Sequence, residues 1–226
     1  MARLIWDPLN PPCQRAKDSG IHRYYRYPGA VLSTFPSIYQ TLPRDWQNSV
    51  VDLEGQPVSI FDPKNWKENE WGFFNSAESE ILSFMLPNIS DANEREKIAF
   101  AYLQSNLKRA ELFSQALDRK ANPPEGLEIY LFAGDNTNTY SKIRTIPVAN
   151  RTKNKVFEVV ESLPGDDTVT RASAIADLRV ENNWTGTVKS PIDFEGVYFL
   201  FSDHFGITHN PVFIDNILYL LLEKNR

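Results

Sequence analysis

The sequence predicts an α/β fold in which buried parallel strands follow a helical region. Residues 127–133 and 197–201 are short apolar runs that each pass directly into a polar loop, a pattern typical of buried strands in a parallel sheet. Between them, residues 143–148 and 156–160 flank the polar segment 150–154. This arrangement predicts a β-hairpin inserted between the two parallel strands.

Two helices are predicted upstream of the strands, over residues 77–85 and 93–119. Asp91 can cap the second helix, with Glu94 three residues further on. Apolar residues recur along one face of that helix at three- and four-residue steps: Phe100, Leu103, Leu107, Ala110, Phe113 and Leu117. We expect this face to be buried, either in an ordinary core or as part of a cap over an active site.

Three regions follow from these patterns. Residues 1–45 contain many turn signals and form an irregular lead-in with a short helix near Ile38. Residues 46–125 form a helical, cap-like region, and residues 126–226 carry the strands and the loops that follow them.

Composition disfavours several classes of partner. The chain has 24 Lys and Arg against 29 Asp and Glu, a net charge of -5, which gives no electrostatic basis for binding nucleic acid. The basic aromatic stretch 22–27 offers a nucleic-acid alternative, but packing at a domain edge is favoured. No signal peptide or transmembrane segment is evident, which predicts a cytoplasmic protein. Cys13, the single cysteine, is interpreted as structural, and no cofactor is expected.

The chemistry is predicted to lie where the strands end. Asp166 occupies a glycine-led loop, and His204 follows the last predicted strand. A carboxylate that orients an imidazole, which then takes a proton from a hydroxyl, constitutes two thirds of a catalytic triad. Asp167 is the alternative acid and His209 the alternative base. A helix starting near Pro211 would place its positive end against His209 and disfavour the imidazolium there.

A metal site is the other interpretation of these residues. Asp166, Asp203, His204 and His209 provide ligand types that hold divalent ions. The two histidines lie five positions apart in a loop, without the spacing of a helical metal motif, so the sequence favours no metal. Asp203 is expected to turn its side chain to solvent.

The loop residues resemble a known family. Residues 164–169, Pro-Gly-Asp-Asp-Thr-Val, together with Ser173, resemble the acid loop of the lecithin:cholesterol acyltransferase-like α/β-hydrolases, in which the first Asp is the acid. Residues 204–207, with Asn210 and Ile217, resemble the family's histidine loop and final helix. The resemblance implies that Asp166 and His204 are the acid and the base.

Upstream segments extend the resemblance to about residues 30–225. Residues 34–43 resemble the segment that follows the family's nucleophile region, and residues 61–66 with Trp71 and Gly72 resemble part of its cap. The implied structure is a partial α/β-hydrolase fold, with the last core strands, a helical cap and a hairpin insertion. The implied substrate is a lipid or another ester.

The nucleophile of that family has no counterpart in this sequence. A nucleophile elbow needs the pattern G-x-S-x-G, because small residues on both sides of the serine allow the strained turn. No glycines lie four residues apart, and no serine lies two positions from a glycine. We therefore expect the acid-base half of a lipid-directed serine hydrolase or acyltransferase, inactive alone, whose serine comes from an upstream half. The alternative is a non-catalytic interaction module derived from such an enzyme.

Overall fold

The structure is a computed structural model that describes residues 28–76, 79–147, 155–179 and 188–224. It contains helices together with parallel and mixed sheets, which confirms the predicted α/β class. The chain divides into two compact units, each built from two segments: residues 1–115 with 142–160, and residues 116–141 with 161–226. Among the described residues, no helix has the length and apolar character needed to cross a bilayer.

The first unit is mainly helical. Its described elements include α1 (Gly29–Leu32), α2 (Pro36–Gln40), β1 (Val50–Val51), α3 (Pro63–Glu68), α4 (Ser79–Met85) and most of α5 (Ala92–Leu117). Short 3-10 turns lie at Asp45–Gln47 and Gly72–Phe74. The predicted short helix near Ile38 corresponds to α2 and is confirmed. The stretch 22–27 and Cys13 lie outside the described residues.

Tryptophans organise the core of this unit. Trp66 and Trp71 are buried and meet edge to face, with ring centroids 5.8 Å apart. Each indole N–H has a partner, since Trp66 donates to the Ile60 carbonyl at 2.7 Å and Trp71 donates to the Thr145 hydroxyl at 3.1 Å. Buried indoles therefore satisfy their polar atoms while contributing large apolar surfaces.

Helix α5 covers nearly the predicted range. The backbone N–H of Asn93 donates to the Asp91 carboxylate at 3.1 Å, so Asp91 caps the helix as expected. Its buried residues are Ala99, Leu103, Asn106, Leu107, Ala110 and Ser114. The prediction of a buried face is confirmed at Leu103, Leu107 and Ala110.

The same prediction is wrong at the end of α5. Phe113 and Leu117 are 40% and 47% exposed. At 3.6 residues per turn, Phe113 lies roughly 80° around the helix from Leu103, and Ser114 occupies the buried line instead. Leu117 is the last residue of the helix, where a terminal turn has fewer neighbours to cover it.

The predicted hairpin is present and longer than expected. It consists of β3 (Thr137–Pro147) and β4 (Lys155–Gly165), which are neighbours in a three-stranded sheet of order β1-β3-β4. Strand β1 pairs with β3 in parallel, with Val50 opposite Ile143. Ser141 hydrogen-bonds to Glu161, and Arg144 hydrogen-bonds to Glu158. Residue numbers thus increase along β3 while those of the partners decrease along β4, as in an antiparallel pair. The polar turn 150–154 lies outside the described residues.

The second unit contains the predicted parallel strands. Strands β2 (Tyr130–Gly134) and β5 (Gly196–Leu200) pair in parallel, with Phe132 opposite Tyr198. Those two rings stack at 4.8 Å, and Phe213 contacts Phe132 edge to face at 5.4 Å. The prediction of two parallel strands is confirmed over 130–134 and 196–200. The expectation that both runs are buried is wrong at Leu127, Val197 and Phe201, which are exposed.

Short helices complete the second unit. Helix α6 (Arg171–Ala174) follows the acid loop, and α7 (Pro211–Leu218) continues into a π-helical turn at Tyr219–Glu223. Asn210 caps α7 by accepting the Val212 N–H at 2.9 Å, with Pro211 in the first turn, as predicted. After the π-helical turn, Lys224 donates to the Glu128 carboxylate at 2.8 Å.

A charged pair fixes the chain after α6. The Asp177 carboxylate accepts the guanidinium Nε–H of Arg179 at 2.8–2.9 Å and the Arg179 backbone N–H at 3.1 Å. Burial by itself would raise the pKa of the Asp177 carboxyl, but the hydrogen bonds and the charge of Arg179 outweigh it, so the pKa lies below its usual value.

Asp177→Asn should therefore lower the free energy of unfolding by about 1 kcal/mol at neutral pH. Because the pKa of Asp177 is lower in the folded chain, its contribution is present above the unfolded value of about 3.9 and is lost as the pH falls through the folded pKa. Urea unfolding at about pH 7 and pH 3 measures this, with Asp193→Asn, at an exposed position, as control. A difference of the same size at both pH values would contradict the account.

Candidate catalytic dyad in the acid and histidine loops

The acid loop holds one oxygen of Asp166 in place. Asp166 follows the last residue of β4, and its Oδ1 accepts the backbone N–H groups of Thr168 at 2.9 Å and Val169 at 2.6 Å. The Asp166 N–H donates to the Val169 carbonyl at 3.2 Å, which closes the turn. The carboxylate is thus fixed through Oδ1, and Oδ2 remains for a different partner.

Two glycines allow the loops to approach each other closely. A Cβ on Gly165 would lie 2.3 Å from the Val169 carbonyl oxygen and 2.6 Å from the Thr139 hydroxyl oxygen. A Cβ on Gly134, at the end of β2, would lie 2.4 Å from the Ser202 carbonyl oxygen and 2.8 Å from Cβ of Asp166. Only glycine fits at either position, because real Cβ atoms do not approach other atoms so closely.

His204 is brought to Asp166 by two hydrogen bonds. Its ring Nδ1 lies 2.9 Å from Oδ2 of Asp166, across 38 positions of sequence. Its backbone N–H donates to the Asp166 carbonyl at 2.9 Å. The predicted hydrogen bond between these residues is confirmed, whereas their catalytic roles stay a prediction.

Burial differs across the pair. The side chain of Asp166 is 10% exposed and that of His204 is 43% exposed. The Asp166 carboxylate is contacted by the N–H groups of Thr168 and Val169 and by Nδ1 of His204. In the tautomer that a carboxylate partner favours, the proton is on Nδ1 and the lone pair is on Nε2, on the side of the ring away from the carboxylate. That tautomer has the geometry that a general base requires.

The alternative residues lie elsewhere. His209 ends a 3-10 turn, is exposed, and has Nδ1 3.3 Å from the Thr208 hydroxyl. Asp167 is the neighbour of the paired acid and contacts Thr139 through its backbone N–H. Asp203 is exposed, as expected, and its carboxylate also accepts the Gly206 N–H at 2.6 Å, which shapes the histidine loop. The structure therefore pairs Asp166 with His204 and with neither alternative.

The described part of the chain offers neither a metal site nor a nucleophile at this dyad. No group of three metal-ligating side chains occurs within it. Among the described residues, the hydrogen bond of the His204 ring is the one that Nδ1 makes with Asp166, and no serine or threonine hydroxyl hydrogen-bonds to its Nε2. The nearby Ser202 is buried and directs its hydroxyl to the Asp203 carbonyl at 3.2 Å.

Two groups beside the dyad were not predicted from the sequence. Thr139 is buried on β3 and accepts the Asp167 N–H at 2.8 Å. Asp135, directly after β2, binds Arg171 at 3.2 Å, and the guanidinium of Arg171 lies over the Phe199 ring. The position of Asp135 after a buried strand was a usable signal. A single threonine in a polar strand gives none.

Comparison with known proteins adds no family to this geometry: no protein-family model matches the chain, and no curated protein is similar to it at a significant level.

Proposed function

We propose that Asp166 and His204 are the acid and the base of a serine-type acyl-transfer site. The observation that carries the proposal is the 2.9 Å contact between Nδ1 of His204 and Oδ2 of Asp166, with Nε2 directed away from the carboxylate. The finer assignment, an α/β-hydrolase fold acting on a lipid ester, rests on the resemblance of the acid and histidine loops. The serine would come from polypeptide outside the described residues.

The dyad would serve both halves of the reaction. Nε2 of His204 takes the proton of the serine hydroxyl as its oxygen attacks the ester carbonyl carbon. The imidazolium, held by Asp166, then gives that proton to the departing alcohol, which leaves an acyl-serine. In the second half, water or an acceptor alcohol loses its proton to Nε2, attacks the acyl carbon and restores the serine.

His204→Ala should abolish labelling of that serine by a fluorophosphonate probe, because the probe reacts with a serine whose proton is removed by a base. The protein is purified with its natural partners from its native cell through a tag on this chain. Labelling is followed over time, and the modified residue is identified by mass spectrometry. We expect a labelled serine in the wild-type preparation, none in His204→Ala, and none in the chain produced alone.

His209→Ala is the matched control, because it removes an exposed imidazole from the same loop without touching Asp166. It should label like the wild type. Equal labelling of the His204→Ala and wild-type preparations would contradict the proposal, as would a preparation with its partners present that contains no reactive serine.

A non-catalytic interaction module is the second candidate. It is favoured by large apolar side chains that the second unit leaves exposed, among them Phe201 at 82% and Leu222 at 76%, since exposed apolar groups of this size mark interaction sites. In that case a partner would co-purify equally with the wild type and with His204→Ala, and no serine would be labelled in either preparation.

A further inference from the structure

The hydroxyl of Thr139 binds the acid loop and its own strand. Thr139 lies on β3 and is 3% exposed. Its Oγ1 accepts the Asp167 N–H at 2.8 Å and donates to the Thr137 carbonyl at 3.2 Å. A hydroxyl has one donor and two acceptor sites, so these two bonds fix its orientation.

The Asp167 N–H belongs to the peptide group whose carbonyl is that of Asp166. That carbonyl accepts the backbone N–H of His204 at 2.9 Å. A peptide group is planar, with its N–H and C=O on opposite sides. The single peptide between Asp166 and Asp167 is therefore held at one side by Thr139 and at the other by His204.

The backbone at this peptide needs such a restraint. Asp167 has φ of 77°, a left-handed conformation that aspartate tolerates better than most residues but that is less favourable than the right-handed or extended regions. Without a partner for its N–H, the peptide can rotate toward a more favourable conformation. Rotation would turn the Asp166 carbonyl away from His204 and move the carboxylate that binds the imidazole.

The packing around Gly165 matches this role. The hydroxyl oxygen of Thr139 occupies space 2.6 Å from where a Cβ of residue 165 would be. Glycine at this position thus gives the threonine hydroxyl access to the loop. Valine at 139 would have the shape of threonine but would leave the Asp167 N–H without its acceptor.

We propose that Thr139 is a positioning residue that sets the geometry of both members of the dyad through this one peptide. The importance of this role for catalysis rests on the proposed function. The two hydrogen bonds that hold the Asp166–Asp167 peptide between Thr139 and His204 do not depend on it. Thr139 touches neither the imidazole nor any reacting atom, and acts only through the acid loop.

The test compares Thr139→Val with Thr139→Ser in the full chain by NMR. In the wild type, the carboxylate should shift the His204 Nδ1–H resonance downfield of the amide region. Thr139→Val should remove or broaden that resonance and speed amide hydrogen exchange at Asp167 and His204 by about tenfold, the size expected for one buried hydrogen bond. Thr139→Ser, which keeps the hydroxyl, should retain both wild-type properties.

Thr41→Val is the matched control, because Thr41 also donates its hydroxyl to a nearby carbonyl, at 2.6 Å, but lies in the first unit. It should leave the His204 resonance unchanged. A Thr139→Val variant with the wild-type resonance and exchange rates would overturn the proposal, as would exchange that accelerates equally at Phe199 and at Asp167.

Thr139→Cys gives a graded variant if valine prevents folding, because sulfur is a weak acceptor. In this variant the His204 Nδ1–H resonance should be broadened, and amide exchange at Asp167 and His204 should be faster than in the wild type but slower than in Thr139→Val. A wild-type spectrum from Thr139→Cys would overturn the proposal. A third outcome separates this proposal from the proposed function. If Thr139→Val alters the His204 resonance but its serine is still labelled at the wild-type rate, the positioning role of Thr139 stands and the proposed function is rejected.

Discussion

Asp166→Asn should lower kcat/KM for ester hydrolysis by about 10⁴-fold in a preparation that contains the nucleophile, the loss expected when a triad acid becomes an amide. The structure gives a specific reason. Oδ1 of residue 166 accepts two backbone N–H groups, so asparagine must keep its oxygen there and turn its NH2 toward His204. The amide then donates to Nδ1, the imidazole proton moves to Nε2, and Nε2 can no longer accept a proton.

Asp167→Asn is the control for this substitution. It makes the same chemical change one residue away, and asparagine tolerates the left-handed backbone of position 167. We expect its kcat/KM to remain within a few-fold of the wild type, because the backbone N–H that binds Thr139 is unchanged. A loss of less than about tenfold in Asp166→Asn would contradict the assignment of the acid.

Gly165→Ala should disrupt the dyad and lower the free energy of unfolding by about 3 kcal/mol, at the upper end of overpacking costs. The new Cβ would lie 2.3 Å from the Val169 carbonyl oxygen and 2.9 Å from Cα of Thr170, both backbone atoms. The acid loop must therefore move away from β3, and the hydrogen bond from Thr139 is lost with it. Urea unfolding and the downfield His204 resonance measure the two effects.

Gly206→Ala is the matched control for that substitution. Its new Cβ would lie 2.9 Å from Oδ1 of Asp203, a side-chain atom of an exposed residue, which can move aside at the cost of its hydrogen bond from the Gly206 N–H. We expect the His204 resonance to persist and the free energy of unfolding to fall by less than about 1 kcal/mol. Equal damage from both substitutions would show that close packing at Gly165 has no special role.

Local patterns predicted the elements that local chemistry determines. The runs at β2 and β5 were recognisable because apolar residues end abruptly at Asp135 and Ser202, and Pro211 marked the start of α7. Helix α5 followed from its periodicity and the cap at Asp91. The hairpin was predicted too short. Its outer parts are polar, so they carry no apolar pattern, and they form strands because β3 and β4 pair with each other there.

The dyad was predictable only in part. His204 follows β5, whereas Asp166 follows β4, a strand of the other sheet, so the parallel pairing of β2 and β5 does not by itself bring them together. The resemblance of their two loops was the signal for the pair. The bond of Thr139 to the acid loop links residues 28 positions apart and depends on the register of β3. Strand β1, only two residues long, carries too little pattern to be recognised, since its pairing with β3 defines it.

The tautomer of His204 shows whether its imidazole is arranged as a base. In the chain labelled with ¹⁵N-histidine, NMR at alkaline pH distinguishes a proton on Nδ1 from one on Nε2. We expect His204 to carry its proton on Nδ1, hydrogen-bonded to Asp166, and Asp166→Asn to move this proton to Nε2, while His209 keeps its tautomer in both proteins. A wild-type His204 that carries its proton on Nε2 would contradict the account, because such an imidazole cannot act as the base.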